Sequence, residues 1–345
     1  MTSSPRLPLH RRLVQVGPHN NAHLIAARAS VSLGVPLVVL SGIGHPEWSL
    51  YAAFGAFASL YGRERGGWQR TRLQLVIALT QTACVTLGAL VGASSARAWW
   101  AVPIAAFIAG GAAWESARMG WHPPGALFQV FGFAAVASVP GHLSDVGTAA
   151  ACSASAAAFA LVVGAVGSLW RHDWIDPREP PIGGRAGGRI PYAVLSAVGV
   201  LVAGLVATGS GIGRPYWAMV AAAVPLAARD WNAQLTRGLQ RLIGTALGLA
   251  AAVALLALDP RGLVLIVVVV CLQALAELLI GRNYALALIA VTPLALLMGN
   301  LAAPIPAHTL VTERGLETLT GVLIALVLGG VVTLARTRRM RQGMP

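Results

Sequence analysis

From residue 73 to 93, and again from 147 to 169, the chain runs without one charged side chain. In a bilayer core no water pairs with backbone N–H and C=O groups, so a segment of that length must satisfy them as a helix or within a closed barrel. Barrel strands alternate apolar and polar residues over about ten positions, and LVLIVVVVCLQAL at 263–275 does not alternate. A helix crosses with about 20 apolar residues. Twelve such segments, some of them short and each bounded by Gly, Pro or charge, read as spans. They are residues 29–44, 48–62, 73–93, 98–114, 125–140 and 147–169, then 192–209, 216–228, 239–258, 262–281, 284–300 and 316–335. Composition points the same way: 56% of residues are hydrophobic and 11% charged, against about 25% charged in soluble domains, and the mean hydropathy is +0.70. The expected fold class is all-α, a polytopic transmembrane helical bundle.

The formal charge of +13 comes from arginine alone, since the chain contains no lysine. With the N-terminus on the cytoplasmic side, alternation of the twelve spans leaves only Arg97, Arg214, Arg261 and Arg314 outside. Every other arginine falls in a cytoplasmic segment, as the positive-inside rule requires. Topology therefore accounts for the basic excess, and no nucleic-acid partner is expected. The first apolar run follows a leader carrying Arg11, Arg12 and Arg28 and has no small-x-small cleavage site, so it is expected to stay as a helix. The expected location is the plasma or inner membrane, multi-pass, with both termini cytoplasmic and the lipid bilayer as the first partner. Cys84, Cys152 and Cys271 fall inside expected spans and suggest neither disulfides nor a metal cluster.

One phrase occurs twice. Gly42-Ile-Gly44-His-Pro46-Glu-Trp48 returns as Gly211-Ile-Gly213-Arg-Pro215-Tyr216-Trp217, and the same separation carries Arg72 onto Arg241. Each copy stands between the first and second span of a set of six, and an even number of spans per unit makes the two units parallel repeats. The expected organisation is a cytoplasmic segment 1–28, a first six-helix repeat 29–169, a charged Pro/Gly-rich cytoplasmic linker 170–191, a second repeat 192–335 and a basic tail 336–345. Two such units around a central path are transporter architecture, and a channel shares it.

The stretches GRPYWAMVAAAVPL, LTRGLQRLIGTALGLAAAVAL and AELLIGRNYALALIAVTPLALLM closely resemble the fusaric-acid-resistance and aromatic-acid-exporter family of bacterial membrane proteins. The second half carries the pattern throughout. The first keeps the repeated phrase and the basic segment, then departs. The resemblance implies a transporter exporting small organic or aromatic acids, with proton coupling as an added expectation and a small anionic or aromatic substrate as partner.

The candidate residues follow from chemistry at membrane depth. In the repeated phrase, Gly42, Gly44, Gly211 and Gly213 permit a sharp turn, and Pro46 and Pro215 suit the first turn of a helix. Trp48 and Trp217 then sit at an interface, or two half-helices present N-termini to a carboxylate while Tyr51, Tyr216 and Trp217 stack on its ring. Arg70, Arg72, Arg237 and Arg241 form cytoplasmic basic segments, holding helix ends among lipid phosphates or gathering anions at the mouth. Gln273 and Glu277 share one helical face, and Arg282 is the expected partner of Glu277, as Arg118 is of Glu115. Such a carboxylate fixes a helix end, gates or couples protons. Asn283 and Tyr284 are placed to cap a helix break, HPPG at 122–125 to form the matching one, and His122 to titrate near neutrality.

There is no dinucleotide fingerprint, no Walker lysine and no clustered catalytic set, so neither an enzyme nor a cofactor or metal is expected. An anion channel or a non-transporting envelope scaffold is the alternative to a transporter. Gly88/Gly92 and Gly244/Gly248 allow close helix packing, within one chain or between copies in a homo-oligomer.

Overall fold

The computed structural model describes residues 8–170, 188–228, 230–302 and 305–341. Most of the expected linker, including Arg171, Arg178 and Arg185, lies outside them, as do Arg229 and the ends of the chain. Thirteen helices form in these residues and no strand. They are α1 (Leu9–Val14), α2 (Ala22–Gly42), α3 (Ser49–Ala56), α4 (Gly67–Gly92), α5 (Arg97–Met119), α6 (Leu127–Ser138) and α7 (Asp145–Trp170). After the linker come α8 (Arg189–Gly209), α9 (Tyr216–Leu226), α10 (Trp231–Ala257), α11 (Gly262–Ile280), α12 (Tyr284–Ala302) and α13 (Ala307–Arg341).

Each of the twelve expected segments coincides with a helix, but they are not alike. Eight helices, α2, α4, α7, α8 and α10 to α13, are long and apolar enough to cross a membrane. The chain is an all-α, multi-pass membrane protein on that count. The four remaining segments fall on α3, α5, α6 and α9. α5 has the length, but Trp99, Trp100, Pro103, Trp114 and Glu115 dilute its apolar character. The helices α3, α6 and α9 have 8, 12 and 11 residues; at 1.5 Å per residue they reach roughly 12 to 18 Å, against a hydrocarbon core of about 30 Å.

A helix too short to span leaves backbone groups at membrane depth, which is tolerated only inside protein. The short helices are indeed interior. Every residue of α3 except Tyr51 is buried, and α9 is buried from Tyr216 through Ala223. The long helices form the wall around them and turn apolar side chains such as Leu79, Val162, Leu247 and Val264 outward. α3 packs on α7, and α9 on α13. α4 packs on α6 and α7, and α10 on α12 and α13. α5 lies along α8, while α2 lies along α11.

Glycines set how close these pairs come. A Cβ at Gly55 would collide with the Ser153 carbonyl of α7, and one at Gly321 with the Ala218 carbonyl of α9. Gly88 and Gly92 meet the backbone carbonyls of Phe133 and Val139, and Gly244 and Gly248 those of Ala285 and Leu288. Both small-residue pairs are thus spent on contacts within one chain.

Two ends of the bundle can be traced by their loops. At the α1 end, the Gly17 N–H donates to the Arg282 carbonyl at 2.9 Å, and the Asn283 Nδ2 donates to the carbonyls of Leu13 and Gln15 at 2.9 and 3.1 Å. Arg65 reaches the carbonyls of Met119 and Gly120 there. At the opposite end the Gly141 N–H donates to the Gly92 carbonyl at 3.3 Å.

Candidate functional site: an arginine-lined cavity among aromatic rings

Between the short interior helices and α10 to α13 lies a cavity of about 150 Å³. One wall is aromatic. Phe54 on α3 meets Phe57 and Phe131 edge to face at 5.6 and 5.0 Å, Phe57 meets Phe128 at 5.2 Å, and Phe131 approaches Trp217 at 5.1 Å. Tyr216 and Trp217, adjacent on α9, complete this wall with ring centroids 4.5 Å apart. Such edge-to-face contacts fix ring positions without filling the space they enclose.

Four arginines share the cavity with these rings: Arg63, Arg214, Arg241 and Arg314. Arg63, from the loop after α3, places Nη2 3.4 Å from Oε2 of Glu277 on α11, whose Oε1 accepts from Gln273 Nε2 at 3.4 Å. Arg214, in the loop before α9, lies 3.6 Å from Glu313 through its Nε. Its backbone N–H donates to Glu317 Oε1 at 2.8 Å. Arg241 on α10 donates from Nη1 to the Tyr284 hydroxyl at 2.6 Å. Arg314 on α13 stacks over the Trp217 ring, 3.7 Å from its centroid. Arg241 is 2% exposed and Arg314 1%. A charge so deep is costly in a membrane protein unless paired, so a cluster of four marks a site.

The expected site residues divide sharply. Tyr216, Trp217, Arg241, Gln273, Glu277 and Tyr284 all line the cavity. Gly211, in the left-handed region at φ +71°, and Gly213 form the turn that delivers Arg214 and Pro215 to α9. The first copy of the phrase does not reach the cavity. Gly42 ends α2, Gly44 turns at φ +84°, and Pro46 opens a single 3₁₀ turn. Trp48 is half-buried and stacks on His45 at 3.8 Å, while Tyr51 packs behind the aromatic wall. Trp217 is 2% exposed, so it is no interface anchor.

Three expectations are corrected. Glu277 pairs with Arg63 from far upstream instead of Arg282, whose Nε donates to the Gly17 carbonyl at 3.2 Å. The helix break turns Arg282 toward the N-terminal segment while Glu277, one and a half turns earlier, faces inward. Arg241 does not sit at a helix end among lipid phosphates, because it lies on the third turn of α10 and faces the interior; Arg70 is buried as well, at 4% exposure. Of the basic segments, only Arg72 and Arg237 are exposed, Arg237 lying over the Tyr284 ring at 5.1 Å. The N-terminus of α9 does face a carboxylate, but it is the protein's own Glu317.

Glu115 and Arg118 pair three residues apart, at 2.8 Å through Nε, on the surface and away from the cavity. Asn283 caps α12 through Oδ1, which accepts from the Ala285 and Leu286 N–H groups at 2.9 and 3.2 Å. The His122 imidazole is held below its ordinary value by burial first and the charge of Arg63 second, so it stays neutral at pH 7. Among the described residues no group of His, Cys, Asp and Glu is arranged to hold a metal ion.

Sequence reading missed Arg63, Arg214, Arg314, Glu313 and Glu317. The signal was present in Thr-Glu313-Arg314-Gly-Leu-Glu317, three charges on adjoining faces at the start of an apolar helix. Arg214 occupies a variable position of the repeated phrase, where the first copy has His45.

Residues 199–328 match the family model described as fusaric acid resistance protein-like. Over 99 residues the chain is 35% identical to the uncharacterized membrane protein YvaC of Bacillus subtilis (strain 168). That stretch covers 29% of this chain and 16% of the relative, so the chain spans a small part of that relative's length. No solved structure matches.

Proposed function

We propose that this membrane protein, fusaric acid resistance protein-like over residues 199–328, is a transporter that moves small organic acids bearing an aromatic ring out of the cell through the cavity. The observation that carries the reading is the coexistence, in one cavity among the apolar helices, of four arginines and a wall of six aromatic rings. Guanidinium groups supply charge-assisted bonds to a carboxylate, and the rings supply apolar contact to its body. A cavity of about 150 Å³ is of the size that holds a single benzene ring elsewhere.

The proposal includes two parallel six-helix repeats, α2 to α7 and α8 to α13, joined by a cytoplasmic linker at 170–191. In support, the main packing pairs of the first set have counterparts in the second: α3 with α7 and α9 with α13, α4 with α6 and α10 with α12. Across the two sets, α5 with α8 answers α11 with α2. The repeats then meet at the cavity, where transporters of this construction hold substrate. Both termini are assigned to the cytoplasm because Arg63, Arg65, Arg118, Arg237 and Arg282 gather toward the α1 end.

The test is uptake of labelled benzoate and of aliphatic carboxylates into proteoliposomes, with and without an imposed pH gradient. Benzoate uptake that rises with the gradient and falls in Glu277→Gln supports a coupled exporter. Benzoate flux that ignores the gradient makes the protein a channel, and absence of flux for every acid removes the transport reading.

A further inference from the structure

The four cavity arginines are not equivalent. Arg63 has Glu277 beside it, and Arg214 has Glu313 at its guanidinium and Glu317 at its backbone N–H. Arg241 has only the neutral hydroxyl of Tyr284, and its Nε is buried without a partner. Arg314 has less. Its Nε and Nη1 are both buried and unpartnered, and its guanidinium rests on the π face of Trp217 with Glu317 within electrostatic range. Arg314 also lies within electrostatic range of Arg241, so the two positive charges reinforce each other. Donors of this kind left unmatched are expensive, more so when charged. Both side chains line the cavity, as does Tyr284.

We propose that Arg241 and Arg314 form an anion seat: their free guanidinium N–H groups hold the carboxylate of a one-ring aromatic acid while Phe57, Phe128 and Phe131 face its ring. Arg63 and Arg214, which come from loops, are the ion-paired arginines of the cavity, so the guanidinium groups with buried N–H donors to spare and no carboxylate bonded to them are those of Arg241 and Arg314. This deepens the transport reading and rests on it for what the bound acid is for, whereas binding is independent of flux. Chloride offers the same monovalent acceptor chemistry, so the test must separate the two sources.

The experiment is equilibrium dialysis of labelled benzoate against the purified full chain in neutral detergent and chloride-free buffer. Benzoate binds the unaltered protein, chloride competes with it, and benzyl alcohol, the same ring without the charge, does not. Arg314→Gln and Arg241→Gln each weaken benzoate by about tenfold or more, while Arg261→Gln, an exposed arginine far from the cavity, leaves it unchanged. If a cavity variant fails to fold, the competition on the unaltered protein still decides. The seat is overturned by benzoate affinity that survives both substitutions, by equal displacement with benzyl alcohol, or by binding of chloride alone. Benzoate binding without any flux would sustain the seat and sink the transporter, and flux undiminished in both variants would do the reverse.

Discussion

Glu277 stands 3.4 Å from Arg63 at the α1 end of the cavity, and the two come from opposite halves of the chain. Removing one partner of a buried pair leaves the other charge uncompensated, at a cost of roughly 3 kcal/mol. Glu277→Gln is therefore expected to lower the thermal midpoint of the detergent-solubilised protein. Adding Arg63→Gln should restore part of the loss, since the double variant has no orphaned charge; a double variant less stable than Glu277→Gln would show that the pair does not hold the structure. His122 gives a pH prediction with a definite sign. Its folded value is depressed by burial and by Arg63, so the unfolded chain binds the proton more readily. Its contribution to stability is complete above the ordinary histidine value and is lost as pH falls through the folded one. Melting curves from pH 8 to 5 should flatten on the acid side in His122→Gln. Glu277 and Gln273 were legible because a carboxylate in an apolar helix is costly enough to announce itself. Their true partner was not, since pairing across the chain leaves no local spacing to read. Arg314 was hidden differently: placing the start of the last span at residue 316 put it in a loop, whereas α13 begins at Ala307.

The short helices carry the fold's specificity. α3 meets α7 at Gly55 and α9 meets α13 at Gly321, where a neighbouring backbone carbonyl occupies the space a side chain would need. Gly321→Val should push α9, and with it Trp217, away from α13, costing about 1 to 3 kcal/mol or more as overpacking and weakening benzoate binding. Gly42→Val, where nothing lies within 4 Å, serves as the comparison and should leave both thermal midpoint and benzoate binding near those of the unaltered protein. Equal behaviour of the two variants would dismiss the close-contact argument. Helix positions were readable throughout, because Gly, Pro and charge punctuate apolar runs in a membrane chain as they do in a soluble one. Depth was not. Residues 48–62 and 216–228 are as apolar as a true span, and nothing in that composition says that a helix of 8 or 11 residues ends halfway and is sheathed by longer ones.

The arrangement of ends makes a topological prediction. With the native cysteines replaced, a single cysteine at Arg261 should react with an impermeant thiol reagent from outside intact cells, and one at Arg12 only after the membrane is opened; the reverse pattern would invert the assignment of the termini. The pairing of helices also bears on how such a chain comes into being. α2 lies along α11, and the segment just before it is bound at Leu13, Gln15 and Gly17 by Arg282 and Asn283. A ribosome adding about 5 to 20 residues per second would deliver α2 into the bilayer long before α11 exists. α5 likewise precedes its partner α8. During synthesis the first half must wait in lipid with two faces uncovered, and the segment at 13–17 lacks most of its partners until the helix break at Arg282 and Asn283 emerges, Gln240 of α10 reaching only the Leu13 carbonyl before then. Residues 13–17 are thus among the last of the described segments to find their place, and a chain cut short before residue 282 would leave Gln15 and Gly17 without the bonds that hold them.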